Sequence, residues 1–219
     1  AATDPVLLAA ACPARPRQRV LDVGCGVGAA AFCLAARAPG VDLEGVEIQE
    51  AYADLSRRNA QRLGVGWLAH VADVRAAPLA LRATSYDHVL TNPPYHAAGA
   101  ALALDDPAKD AANRETADLE TWLDFCLRRL KPKGSLTVIH RAERLDDILA
   151  ALRGRAGGAA ILPLWPRPGL PAKRVIVRAV KEGRGPLRLC RGLTLHGADG
   201  GAFSPEAEAV LRQGAPLDM

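Results

Sequence analysis

Short hydrophobic runs alternate along the chain with longer stretches in which apolar residues recur at helical spacing. The short runs predict buried strands, and the longer stretches predict helices with one apolar face. Predicted strands span residues 19–23, 41–47, 67–72, 86–91, 136–140, 159–164 and 174–180. Predicted helices span residues 4–12, 29–38, 50–63, 119–130 and 142–152. This alternation predicts an α/β domain with a doubly wound, mostly parallel, seven-stranded sheet.

Both ends of the chain show a helix start in which proline follows a capping residue. We expect Asp4 to cap the first helix and Ser204 to cap a final helix, each with a proline at the first helical position. Short β signals at 187–190 and 193–196 precede the final helix. The predicted organisation is one domain over 1–219, with an N-terminal cap helix at 4–12 and a C-terminal extension at about 186–219.

Composition fits a single globular domain. The 219 residues are 49% hydrophobic and 24% charged, and the net charge of +4 permits an anionic partner without requiring one. We see no apolar stretch long enough to span a membrane and no signal peptide, so we expect a cytoplasmic protein. The five cysteines are scattered, odd in number and without a C-x-x-C pair, which argues against a disulfide framework and a metal site.

A glycine-rich segment follows the first predicted strand, reading Asp22-Val-Gly24-Cys-Gly26-Val-Gly28. Glycines allow a sharp turn and a close approach to a ligand, and Glu47 ends the next strand, where a carboxylate can accept hydrogen bonds from ribose hydroxyls. A dinucleotide site would read G-x-G-x-x-G, and Asp22 would repel a pyrophosphate. The pattern therefore favours S-adenosylmethionine, whose positive end Asp22 can meet.

The cofactor site extends to the residues after the second and third strands. Asp73 is placed to reach an adenine amino group, although it is also suited to cap a helix or turn. Ile48 and Val74 are expected to contribute to the same site. Cys25 is interpreted as a small loop residue and not as a nucleophile.

The fourth predicted strand runs into Asn92-Pro93-Pro94-Tyr95. Two consecutive prolines fix φ and lack N–H groups, so the chain must leave the sheet as a stiff, extended segment that presents carbonyl oxygens. A strand-ending turn is the simpler interpretation. The preceding amide, the following aromatic ring and the glycine loop upstream favour a binding site.

These motifs together resemble those of class I methyltransferases that carry an Asn-Pro-Pro-Tyr motif. Several further stretches are similar to the bacterial tRNA1(Val) adenine-N6 methyltransferase family, namely residues 3–10, 139–145, 172–175 and 192–196. The resemblance covers nearly the whole chain and implies a Rossmann-like class I fold, S-adenosylmethionine as cofactor and tRNA as partner. The segment 97–116 matches poorly, and we expect it to govern substrate choice.

The resemblance also implies a chemistry for the Asn-Pro-Pro-Tyr segment. The Asn92 side-chain oxygen and the Pro93 carbonyl would accept hydrogen bonds from an exocyclic amino group, and Tyr95 would stack on the extruded base. Asn92, Pro93, Pro94 and Tyr95 are thus the expected catalytic residues, and Asn92 also borders the cofactor. Other expected substrate contacts are His96, Lys109, Arg114, Arg141, Lys173 and Arg174, with Arg167 and Arg178 nearby.

Two alternatives remain open from the sequence. A protein glutamine N5 methyltransferase presents the same amide geometry to the same four residues, although such enzymes usually carry a helical substrate domain before the glycine loop. A catalytically inactive RNA-binding protein on the same fold is the second, and the intact Glu47 and Asn92-Pro-Pro-Tyr95 argue against it.

Overall fold

The computed structural model describes residues 3–94 and 119–219. Its strands are β1 (Arg19–Val23), β2 (Asp42–Glu47), β3 (Leu68–Val71), β4 (Tyr86–Thr91), β5 (Leu130–Arg141), β6 (Ala156–Trp165), β7 (Arg174–Lys181), β8 (Arg188–Leu189) and β9 (Leu193–Thr194). Its helices are α1 (Thr3–Ala11), α2 (Ala29–Arg37), α3 (Glu50–Leu63), α4 (Leu79–Ala83), α5 (Leu119–Arg129), α6 (Leu145–Leu152) and α7 (Pro205–Gln213).

All of these strands join one sheet in the order β3-β2-β1-β4-β5-β7-β6-β8, and β9 pairs with β6 beside β8. Neighbours from β3 to β5 are parallel, and β7 runs antiparallel to both β5 and β6. The expected α/β class and mostly parallel, doubly wound sheet are therefore confirmed. The two-residue strands β8 and β9 extend the seven predicted strands at one edge.

Helices cover both faces of the sheet. On one face, α1, α2 and α7 bury a core that includes Leu8, Leu34 and Val210. On the other face, α4, α5 and α6 bury a second core around Leu81, Trp122 and Ile148. Because α2 follows β1 on the first face and α5 precedes β5 on the second, the chain leaves the neighbouring strands β1 and β4 towards opposite sides. Such a point opens a crevice at the carboxyl ends of the strands.

Arginines fasten the end of the described chain to α1. The Leu217 N–H donates to the Ala10 carbonyl at 3.0 Å, and Arg37 donates to the carbonyls of Ala9 and Gly214 at 2.6 and 3.0 Å. Arg178 donates to the carbonyls of Ala11 and Met219. The C-terminal extension thus packs as part of the fold's first core.

Several predicted boundaries differ from the observed ones. Helix α1 begins at Thr3, so Asp4 lies in its first turn, where it pairs with Arg174, and not at the predicted cap position. Strand β5 begins at Leu130 because pairing with β4 starts there, lapses through a bulge in which Lys133 has a φ of 64°, and resumes at Ser135. The predicted cap is confirmed at Ser204, whose hydroxyl accepts from the Ala207 N–H at 3.1 Å.

Candidate functional site

Three neighbouring strands end in register at the crevice. Val23 of β1 pairs with Val46 of β2 on one side and with Thr91 of β4 on the other. The next residue on each strand is therefore Gly24, Glu47 or Asn92, and these three follow one another across two strand spacings, about 10 Å in all. The sheet register brings together residues that are far apart in the sequence.

The glycine loop is fastened to the end of β2 by Glu47, which is 6% exposed. One carboxylate oxygen accepts from the Gly26 N–H and the other from the Gln49 N–H, each at 2.9 Å. Gly24 has a φ of 72°, and a Cβ atom there would lie 2.8 Å from the Trp122 ring. Glycine is therefore required at that position by both backbone conformation and packing.

Asp22 lies beneath the loop and is 3% exposed. Within the described ranges, its carboxylate accepts one hydrogen bond, from the Ala31 N–H in α2 at 3.3 Å. Burial raises the pKa of Asp22 to about 7, the Ala31 N–H lowers it in part, and the nearby negative charge of Glu47 raises it further. A bound cation would relieve this unfavourable burial of charge.

The residues around the loop fit the expected cofactor. Two apolar side chains, Val27 and Ile48, are 38% and 37% exposed beside the carboxyl groups. Apolar surface next to Glu47 suits an adenosine, and buried acidic groups suit the positive charges of S-adenosylmethionine. These carboxyl and apolar groups therefore fit S-adenosylmethionine, and the contact of each residue with it remains a prediction.

Asp73 is already engaged by a neighbour. It caps a 3₁₀ turn at Val74–Ala76, accepts from the Arg75 N–H at 2.9 Å and forms an ion pair with the Arg75 guanidinium. The hydrogen bond from Arg75 lowers the pKa of Asp73. The capping interpretation is thus observed, and the adenine contact remains a prediction that requires Asp73 to share its oxygens with Arg75.

The Asn-Pro-Pro segment leaves β4 with an unusual polar group. Asn92 is half-buried, and its Oδ1 atom is fully buried with no hydrogen-bond partner among residues 3–94 and 119–219. Pro93 is buried after it. A buried amide oxygen without a donor costs free energy, and its presence in a crevice is a signature of a binding position.

His140 lies beside the same segment on the neighbouring strand. It is fully buried in β5, and its Nδ1 atom accepts from the Arg141 N–H at 2.8 Å, so the ring proton is on Nε2. The Pro94 backbone lies close enough to the imidazole to raise the pKa of His140 in part. Burial, together with Arg144 and Arg141, lowers the pKa of His140 to about 4, so the ring stays neutral.

Sequence reasoning missed a pair of residues that tie the two sides of the crevice together. The Thr91 hydroxyl donates to the Val23 carbonyl at 2.8 Å and accepts from Trp122 Nε1 at 2.9 Å. Trp122 belongs to α5 and packs against Gly24. No local pattern links these positions, because the contact depends on the sheet order.

The basic residues proposed to contact phosphates are not equivalent. Arg141 pairs with Glu143 at 3.1 Å, Arg174 pairs with Asp4 at 3.1 Å, and the exposed side chain of Lys173 has no carboxylate partner in the described ranges. Arg178 was wrongly grouped with them, because it lies mid-strand in β7 and its guanidinium is taken up by backbone carbonyls of α1 and the C-terminal segment.

Four predicted substrate residues, Tyr95, His96, Lys109 and Arg114, lie outside the described residues, as does the segment 97–116. Within the described residues, no group of three or more histidine, cysteine or acidic side chains is arranged to hold a metal ion. In the same part of the chain, no helix has the length and apolar character needed to cross a membrane.

Curated relatives match the chain over most of its length. A tRNA1(Val) (adenine(37)-N6)-methyltransferase of Aeromonas hydrophila is 33% identical over 203 residues, which cover 90% of this chain and 83% of that protein. A protein of the same name from Yersinia pseudotuberculosis is 30% identical. That match covers 82% of this chain and 72% of the Yersinia protein.

Solved structures agree on the fold. A predicted O-methyltransferase from Agrobacterium tumefaciens superimposes with a TM-score of 0.80 at 26% identity, over 97% of each chain. TrmN from Thermus thermophilus has a TM-score of 0.55 at 21% identity, over 82% of this chain and 48% of that one.

The family model described as methyltransferase small domain matches residues 3–152, more than half of the chain. The expected resemblance, the Rossmann-like class I fold and the cofactor are thereby confirmed. This chain belongs to the methyltransferase small domain family and is an S-adenosylmethionine-dependent methyltransferase.

Proposed function

We propose that this protein methylates N6 of an adenine in tRNA. The observation that carries the proposal is the buried Asn92 Oδ1 atom, which has no partner within the described ranges and stands beside the glycine loop. An acceptor in this position suits a substrate that brings its own N–H groups. The names of the curated relatives supply the nucleotide and the RNA, which we carry over to this chain as a proposal.

The residues of the Asn-Pro-Pro segment address a specific chemical difficulty. An exocyclic amino nitrogen is a poor nucleophile because its lone pair is delocalised into the ring. If Asn92 Oδ1 and the Pro93 carbonyl accept its two N–H groups, the lone pair is directed out of the ring plane. Catalysis then depends on positioning and polarisation, without a strong general base.

The remaining groups hold this arrangement together. S-adenosylmethionine supplies an electrophilic methyl group when it is bound. Glu47 is proposed to accept from its ribose hydroxyls while keeping the Gly26 contact, since a carboxylate can accept several hydrogen bonds. His140, which lies beside the Pro94 backbone, is proposed to fix the direction in which the chain leaves Pro93. Tyr95 is proposed as the ring on which the adenine stacks.

We infer a cytoplasmic location from this substrate, because tRNA is modified in the cytoplasm of bacteria. The mildly basic sequence, with a net charge of +4 and a pI of about 9.0, is suited to an anionic partner. Lys173, which is exposed at the carboxyl edge of the sheet, is proposed to meet phosphate.

The test is methyl transfer from labelled S-adenosylmethionine into fractionated tRNA, rRNA and protein, with the modified nucleoside identified by mass spectrometry. We expect N6-methyladenosine in tRNA. The Asn92→Asp variant retains an acceptor oxygen and should keep more activity than Asn92→Ala, since only the latter removes the acceptor.

Label in a protein glutamine would favour the alternative drawn from the sequence. Label on a hydroxyl oxygen would favour an O-methyltransferase, which is the activity predicted for the Agrobacterium tumefaciens protein. Either result, with no label in tRNA, would contradict the proposal.

A further inference from the structure

A second concave surface lies at the same edge of the sheet as Asn92. It is an open cavity of about 470 Å³ that is lined by Trp165, residues 167–171 and Thr194. Because β7 is antiparallel to both β5 and β6, the carboxyl end of β6 points the same way as that of β5. From β4 to β6 there are three strand spacings, about 15 Å. The two surfaces are thus separated by β5 and β7 alone.

Trp165 forms one wall of this cavity and is held in a fixed orientation. Its indole N–H donates to the Arg191 carbonyl at 3.4 Å, and a Cβ atom at Gly192 would come within 2.5 Å of the same nitrogen. Gly192 has a φ of 87°, which favours glycine, so the residue leaves room for the ring and shapes the turn beneath it. The ring is partly exposed on the cavity side.

Arg167 lines the same cavity as Trp165 and is exposed. A Cβ atom at Gly200 would lie 2.2 Å from the guanidinium carbon, so a second glycine makes room for a cavity side chain. No ion pair of Arg167 occurs within residues 3–94 and 119–219. The adjacent Asp199 carboxylate instead accepts from the Gly201 N–H at 3.3 Å.

Both glycines belong to the C-terminal extension, whose short strand β9 pairs with the end of β6 at Trp165 and Thr194. The His196 and Phe203 rings stack with centroids 4.8 Å apart and close the loop that carries Gly200. The C-terminal extension therefore packs against Trp165 and Arg167, and residues 192–196 help to shape the cavity.

We propose that the cavity is a subsite for an unpaired nucleotide of the RNA substrate, a few nucleotides from the adenine that is methylated. The base stacks on Trp165, and the adjoining phosphate meets Arg167 and Lys173. Stacking on an aromatic ring tolerates any base, and a guanidinium without an acid partner gains most from a phosphate. The inference rests on the proposed RNA substrate and adds a second point of contact to it.

Tryptophan fluorescence provides a direct readout. Adding a short single-stranded oligoribonucleotide should quench the wild-type emission, and the Trp165→Phe variant should lose that quenching while it binds tRNA nearly as well. The emission of Trp67 and Trp122 should not change, because Trp122 is buried and Trp67 packs against Phe32.

Binding of tRNA by fluorescence anisotropy tests the energetics. Trp165→Leu removes the stacking ring and should weaken binding about 5- to 150-fold. Arg167→Gln should weaken it less and reduce the salt slope by about 0.7–0.9. Arg62→Gln is the matched control, because Arg62 is equally exposed but lies at the end of α3, near the opposite edge of the sheet.

The outcomes separate this inference from the proposed function. If the wild-type protein methylates tRNA while Trp165→Leu and Arg167→Gln bind it like Arg62→Gln, the subsite is wrong and the proposed function stands. If the wild-type protein methylates no tRNA, both are wrong. Thermal unfolding of each variant shows whether a loss reflects folding, and Arg167→Gln, an exposed substitution, keeps the test valid if Trp165→Leu is unstable.

Discussion

Asp22 and Glu44 are both buried carboxyl groups on neighbouring strands, 3% and 8% exposed, yet their pKa values are displaced in opposite directions. The pKa of Asp22 is raised to about 7, whereas that of Glu44 is lowered. Asp22 faces α2 on one side of the sheet, and Glu44 faces Tyr86 on the other. Burial acts on both, so the difference lies in the donors each one meets.

Glu44 is surrounded by donors. It accepts from Arg19 at 2.5 Å, pairs with His70 at 2.8 Å and accepts from the Tyr86 hydroxyl at 2.9 Å. Burial alone would raise its pKa, but these hydrogen bonds outweigh burial and lower it. The cluster is a satisfied network whose role is to stabilise the fold.

The carboxyl edge of the sheet is organised differently. Asp22 accepts one backbone hydrogen bond, and the buried Asn92 oxygen accepts none in the part of the chain that is described. At a strand end that borders a crevice, a polar group left unsatisfied in the protein can be satisfied by a ligand. The contrast separates residues that hold the fold from residues that await cofactor and substrate.

The largest expected effect is on the rate of Asn92→Ala. Losing one positioned acceptor should lower methyl transfer by about 10²–10³, while S-adenosylmethionine affinity and thermal stability stay close to wild type. Initial rates and calorimetry measure the two quantities. Retention of most of the activity would remove Asn92 from the catalytic site.

Glu44→Ala should give the opposite profile. It leaves three donors without their acceptor, among them the buried Tyr86 hydroxyl, and a buried donor left unsatisfied costs about 1–3 kcal/mol of unfolding free energy. Activity per folded molecule should not change. Chemical denaturation measures the loss, and Glu44→Gln, which keeps an acceptor oxygen, should lose less. Because the folded-state pKa of Glu44 is lowered, its stabilisation is present above pH 4.5 and is lost as the pH falls through the folded value.

Asp22→Asn should stabilise the protein at neutral pH and weaken cofactor binding. Its raised pKa means that the folded state holds the proton more tightly, so stability falls as the pH rises from about 4 to about 7. Replacing the carboxyl with an amide removes that penalty, about 2–4 kcal/mol. Unfolding at pH 4 and pH 8 should show equal stabilities at pH 4 and a more stable variant at pH 8. A variant that is destabilised at both would place the charge of Asp22 among the groups that hold the fold.

The smallest expected effect is on kcat, for two substitutions of His140. Asn can accept from the Arg141 N–H but cannot reach Pro94, whereas Gln can place a donor near Pro94. We expect His140→Asn to lower kcat about 10-fold, below the roughly 10²-fold that a 1 Å misplacement can cost, and His140→Gln to recover most of it. Cofactor affinity should be unchanged in both. If His140→Gln is the poorer enzyme, His140 acts on the end of β5 and not on the Asn-Pro-Pro segment.

Local patterns predicted much of the fold. The bounds of β1, α3 and β4 agree with the prediction, because each is set by neighbours in sequence, such as Gly64, which ends α3 with a φ of 66°. The glycine loop and Glu47 were predicted to contribute to one cofactor site, and the register of β1 and β2 brings them into contact.

Features that depend on packing across the sheet could not be predicted in this way. Arg178 reads as a basic residue near Lys173, but its guanidinium is consumed by carbonyls distant in sequence. Trp122 is an ordinary core residue in the pattern of its helix, and its contact with Thr91 exists only because α5 crosses β4 and β1. The bulge in β5 follows from pairing with β4, and Lys131-Pro-Lys-Gly reads locally as a loop.

The thiol of Cys25 lies within the glycine loop, so its chemical labelling can report on that loop. Cys25 is 6% exposed, and burial, with Asp22 and Glu47, raises the pKa of the thiol well above its usual range. Alkylating reagents attack the thiolate, so in the closed protein this group is protected twice. The rate at which it is labelled therefore measures how often the loop opens, and slower labelling with bound ligand would express cofactor binding as protection of a single sulfur atom.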